Sequence, residues 1–150
     1  MSHTSLLFIL MALLAGISVP TQAGINAQLG LWTRSPTIAA AVSFAVGTLA
    51  LIVYIFLMRI PLPSLAAAVS HPWWIWIGGV LGAFFVTATI ILVPKLGAAT
   101  MVATILAGQM FASLIFDHFA LLGYPLHPIS LGRIGGVLLL CVGIWMIKYF

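Results

Sequence analysis

Long apolar runs dominate the chain, broken at intervals by short groups of proline, glycine and isolated charges. Within each run the apolar residues continue around every helical turn. This is neither the one-sided pattern of a surface helix nor the strict alternation of a half-buried strand. Runs of roughly 20 residues suit helices that cross a hydrocarbon core about 30 Å thick. Five helices are predicted, over residues 4–31, 37–58, 73–93, 98–119 and 131–149. The first is long and carries Pro20, which predicts a kink. Arg34-Ser35-Pro36 reads as a tight turn with Pro36 opening the second helix. Residues 59–72 read as the longest loop, with an apolar stretch at 65–69 that would lie in the interface. Trp73, Trp74 and Trp76 predict an aromatic anchor at headgroup level. Pro94-Lys95-Leu96-Gly97 reads as the next turn, and residues 123–130 as the last loop.

Composition turns this pattern into a membrane assignment. The 150 residues are 64% hydrophobic and 4% charged, with a mean hydropathy of +1.31. A soluble domain carries about 25% charged residues, so this chain cannot cover a globule with polar groups. A closed β-barrel also satisfies its backbone in lipid, but would show polar residues in alternation. The expected fold class is an all-α integral membrane protein, a single membrane domain over residues 1–150. The pI near 9.9 rests on five basic residues spread singly, which is no basic stripe for nucleic acid. Cys141 is the only cysteine, so no intrachain disulfide or cysteine cluster is expected. Residues 5–19 precede Val19-Pro20-Thr21-Gln22-Ala23, which has the look of a cleavage region. No Lys or Arg precedes that run, so a retained first helix is expected rather than a signal peptide.

Five spans put the termini on opposite sides. Arg59 and Arg133 then fall on one face, and Arg34, Lys95 and Lys148 on the other. Lys and Arg bias sets orientation, and here it nearly cancels. The balance is compatible with insertion in both orientations and with antiparallel pairing, which would build an inverted repeat from two copies. Gly78 and Gly82, and Gly132, Gly136 and Gly143, stand at spacings that let helices approach closely. Packing within one subunit and pairing between subunits both explain them.

Several strings resemble the YdcZ-like family of the drug/metabolite transporter superfamily. They are Pro20 to Gly30; Ser35-Pro36 with Ser43-Phe44 and Val46 to Leu51; and Gly78 to Phe84. They continue with Pro94 to Ala98, Gly108-Gln109, Ser113 and Asp117-His118-Phe119, then Arg133, Gly135 and Gly143. Ala120 departs from the family pattern, where Gly would follow Asp-His-Phe. The resemblance implies one five-helix half of a ten-helix transporter, located in the bacterial inner membrane. Such a half would work as an antiparallel homodimer or with a paralogous partner. Small cation exchangers of the superfamily use a glutamate in the first helix, and this chain has none.

The candidate chemistry lies in the few polar groups that the spans carry, since these are expensive in lipid. Gln22 and Asn26 share a face of the first helix just after Pro20, with Gln28 beyond. They, with Ser43, are candidate substrate-pathway residues or hydrogen-bonding contacts between helices. Gln109, Ser113 and Asp117 stand four apart and predict a polar stripe on the fourth helix. Asp117 is the single acid of the chain. With His118 it is a candidate for proton coupling, or else a carboxylate paired with Arg133 near the helix end. Thr48, Thr87, Thr89, Thr100 and Thr104 are expected to bond to their own helix backbones. Trp32 is either an interfacial anchor or a surface for stacking on substrate. His3, His71 and His127 have no ligand spacing, and no cofactor, metal or catalytic motif is expected. The function expected is secondary transport of small neutral, zwitterionic or anionic molecules by alternating access. The alternative is a non-transporting accessory subunit.

Overall fold

The computed structural model describes residues 3–64 and 70–150, with side chains from Ser5 onward. The apolar stretch at 65–69 lies outside the described residues. The described chain forms five long helices: α1 (His3–Thr33), α2 (Pro36–Leu57), α3 (Gly78–Leu96), α4 (Ala98–Phe119) and α5 (Leu131–Tyr149). A 3₁₀ turn, Trp73–Ile77, leads directly into α3, and a shorter one, Leu121–Gly123, follows α4. All five are long and apolar enough to cross a membrane, counting Trp73–Leu96 as one span.

Most helix ends follow the local chemistry. Ser35 caps α2, its Oγ accepting from the Ile38 N–H at 3.3 Å, and Pro36 takes the first helical position. Ser130 caps α5 in the same way, accepting from the Arg133 N–H at 3.3 Å. At the end of α2, the Ile60 N–H bonds to the Ile55 carbonyl and the Arg59 N–H to that of Phe56. Arg59 is left-handed there, with φ 52°; this is a Schellman ending without its usual glycine. Trp73, Trp74 and Trp76 stand exposed on the 3₁₀ turn that starts after Pro72.

One expectation about proline needs correction. The turn expected from Pro94 begins later: α3 continues through Pro94 and Lys95 and ends at Leu96. A proline in the last turn forfeits one backbone bond, and Gly97, at φ 76° and ψ 158°, supplies the break. Pro20 does not break α1, which is helical from His3 to Thr33. Its ring still leaves the Gly16 carbonyl without the usual donor.

The chain divides into two compact units, Met1–Lys95 and Leu96–Phe150. In the first, α1, α2 and α3 meet around small residues. Ala39, Ala40, Val86 and Ile90 form its core, with Leu29 and Phe85 packed against it. Gly30 makes the tightest approach: a Cβ there would meet Ile90 Cγ2 at 2.9 Å. Gly82 admits the ring of Phe44, which would stand 3.2 Å from an added Cβ. In the second unit α4 packs against α5. Gly78, Gly136 and Gly143 face open space within 4 Å.

The left-handed residue that ends α4 is Ala120, with φ 49° and ψ 39°. This is the position where the resemblance calls for glycine, and the backbone supplies the reason. A side chain in this region costs about 1–2 kcal/mol. Ala120→Gly is therefore expected to stabilise the protein by roughly 1 kcal/mol, read as a rise in the unfolding midpoint in detergent micelles. An unchanged or lower midpoint would count against a strained helix end.

Candidate functional site

The first unit carries a groove between α1 and α2. Gln22 and Asn26, one turn apart on α1, line it together with Ser43 of α2, and its volume is about 570 Å³. That falls within the range of about 300–1,000 Å³ usual for small-molecule sites. The sequence offered these three residues as candidates for a substrate pathway or for contacts between helices, and the fold brings them to one surface. Ser18 and Thr21 join them from α1. The sequence reading did not single out that pair; helical spacing offered the signal, since Ser18 precedes Gln22 by four residues and Thr21 precedes Ile25 by four. A smaller recess of about 210 Å³ continues from Gln22 and Ser43 to Gly47 and Thr48. Gln28 is exposed and lines neither recess.

Asn26 is the singular group here. It is 4% exposed, and its Nδ2 has no hydrogen-bond partner. Leaving such a donor buried and unpaired costs about 1–3 kcal/mol. The neighbouring hydroxyls behave differently. Ser18 donates to the Leu14 carbonyl and Thr21 to that of Ile17, each at 2.9 Å. Their protons are used within the helix, while their oxygens keep lone pairs toward the groove.

The second unit carries another groove, of about 390 Å³, between α4 and α5. Ser113 and Asp117 line it with Arg133 and Gly136. Gln109, expected on the same stripe, is exposed and lies off this groove. Arg133 Nη1 donates to Asp117 Oδ2 at 3.1 Å and to the His127 carbonyl at 3.0 Å. The His127 N–H in turn donates to the Asp117 carbonyl at 2.9 Å. His118 Nδ1 accepts from the Ile129 N–H at 3.1 Å, which places the neutral ring's proton on Nε2. Three side chains and four backbone groups thus fasten the α4–α5 loop to the helix end. The pairing of Asp117 with Arg133 was one of the two readings available from sequence. The bond from Ile129 to His118 was not legible, because it joins residues eleven apart across an irregular loop.

The remaining polar residues are mostly self-contained. Thr87, Thr89 and Thr104 donate to the carbonyls of Ala83, Val86 and Thr100, each at 2.8 Å, as expected for hydroxyls in apolar helices. Trp32 is exposed near the end of α1. Among the described residues no group of three or more His, Cys, Asp or Glu side chains could hold a metal ion.

Comparison with known proteins places this architecture. A family model described as "Putative inner membrane exporter, YdcZ" matches residues 7–146. The inner membrane protein YdcZ of Escherichia coli (strain K12) is 42% identical over 78 residues, covering 52% of this chain and 52% of that protein. The matched stretch therefore spans about half the length of that relative. No solved structure matches.

The Asp117–Arg133 pair is partly exposed, at 24% and 35% for the two side chains. Its worth should lie above that of a fully exposed pair and below that of a buried one, at about 1 kcal/mol. Arg133→Met should lower the stability by that amount, read as a lower unfolding midpoint. Adding Asp117→Asn should recover part of the loss, since no carboxylate then remains unpaired. Equal midpoints for wild type and Arg133→Met would show that the pair contributes nothing.

Proposed function

The chain belongs to the YdcZ family of drug/metabolite transporters and is a multi-pass inner-membrane protein, and from this we propose that it transports small molecules outward by alternating access. The observation that carries the reading is the convergence of Gln22, Asn26 and Ser43 on one groove between α1 and α2. Interhelical packing alone needs no such recess, and an accessory subunit would have no use for it. The solutes are neutral, zwitterionic or anionic. No acid lies in the α1–α2 groove, so a hydrophobic cation would lack the carboxylate that attracts it.

The working unit is a pair of antiparallel copies, or one copy with a paralogous partner. Five helices enclose little space by themselves, and the basic residues barely bias one orientation. Pairing two copies head to tail supplies the inverted repeat on which alternating access runs. Asp117 and His118 couple the cycle to protons. A proton on Asp117 removes the charge that holds Arg133, and a proton on His118 Nδ1 replaces the acceptor that holds Ile129. Either event loosens the fastening of the α4–α5 loop. Asp117 is the chain's single acid, so carboxylate coupling has no other residue to use.

The test is exchange in proteoliposomes with a panel of neutral, zwitterionic, anionic and cationic solutes, with and without a pH gradient. Exchange is expected for members of the first three classes. Asp117→Asn should weaken the response to the gradient while leaving exchange at equal pH, and adding His118→Gln should abolish it. Selective exchange of hydrophobic cations would contradict the substrate class, and an unaltered gradient response in Asp117→Asn would contradict the coupling.

A further inference from the structure

Asn26 is the only asparagine of the chain, and it presents a buried amide donor with no acceptor. Buried polar groups in native proteins almost always have partners, so an exception points to something the site receives. The rest of the groove narrows what that is. Ile25, Leu29, Val42 and Val46 give it apolar walls, and no titratable side chain lines it. Its donors are the amides of Asn26 and Gln22 and the hydroxyl of Ser43. Its acceptors include the Ser18 and Thr21 oxygens, whose protons are already donated to Leu14 and Ile17. A ligand carrying any formal charge, net or paired within a zwitterion, would find no counter-ion in a setting where unpaired charge is costly. A ligand with a carbonyl acceptor, a nearby N–H or O–H donor and an apolar body satisfies every surface.

We propose that the α1–α2 groove is a subsite for neutral, carbonyl-bearing amphiphilic solutes, with the solute carbonyl accepting from Asn26 Nδ2. This deepens the transport reading and rests on it for the identity of the solute as substrate. It also narrows the class, removing zwitterions and anions from this subsite. Nδ2 is covered in the conformation seen here, so docking requires a small separation of α1 and α2. A state that opens the groove gives the orphaned donor its partner, which ties binding to the conformational change.

The single asparagine makes the test direct. The full chain, labelled with ¹⁵N-asparagine and placed in lipid nanodiscs, gives one side-chain NH₂ signal, which Asn26→Leu must erase. Three probes share the leucine side chain and differ in charge: neutral N-acetyl-leucinamide, anionic N-acetyl-leucine and cationic leucinamide. The neutral probe is expected to move the signal in a saturable way, and the charged two to leave it in place. Ser43→Ala should raise the neutral concentration needed by roughly 2- to 10-fold, the loss of one hydrogen bond. No movement with the neutral probe, or equal movement with a charged one, overturns the proposal. So does a signal that shifts on replacing diester with diether lipid but ignores the probe, because the acceptor is then a lipid ester. Exchange of N-acetyl-leucinamide in proteoliposomes separates the two readings. A responding amide without exchange leaves the subsite standing and removes its role in transport. Exchange with an unresponsive amide does the reverse.

Discussion

An outer surface made almost entirely of apolar side chains is the constraint on which the rest of this structure depends. Leucine, isoleucine, phenylalanine and tryptophan project outward along all five helices, while the core holds mainly small residues such as Ala23, Ala39, Ala40 and Ala103. In water such an arrangement would aggregate; in a bilayer, lipid covers the outward faces and helices satisfy their own backbones. Because lipid is as apolar as leucine, burial of large side chains offers no gain for helix association, and close approach of small residues takes its place. Gly30 against Ile90 and Gly82 against Phe44 are the points where this approach is closest.

The same constraint gives polar residues their meaning. Hydroxyls that only need to survive in lipid turn back on their own helices, as Thr87, Thr89 and Thr104 do. Asp117 and Arg133 satisfy each other and, with His118 and His127, fasten a loop. Asn26 has neither solution. An amide buried without a partner beside a recess is the feature that fits transport better than a structural role.

The bounds of α4 and α5 could be read from sequence because charge, proline and a serine cap coincide there with the ends of apolar runs. The end of α3 could not, since Pro94 looks like a terminator, yet a last-turn proline costs only one bond and Gly97 sets the true break. The gathering of Gln22, Asn26 and Ser43 was legible in part: helical spacing put the two amides on one face, but only the packing of α1 on α2 brings Ser43 to them. The departure of Gln109 from the stripe was not legible, because four-residue spacing drifts around a helix and says nothing about where the neighbouring helix lies. The departure of Ala120 from the glycine that the resemblance calls for gains its meaning only from the backbone, which is left-handed there.

The central claim is that the α1–α2 groove faces a solute path and not only lipid. The most direct measurement is alkylation of Ser43→Cys in a Cys141→Ser background, using a membrane-impermeant sulfonated maleimide and a lipid-soluble one on intact membranes. The account predicts that the impermeant reagent modifies position 43 and that a neutral amide solute slows the reaction. Modification by the lipid-soluble reagent alone, unaffected by solute, would contradict it.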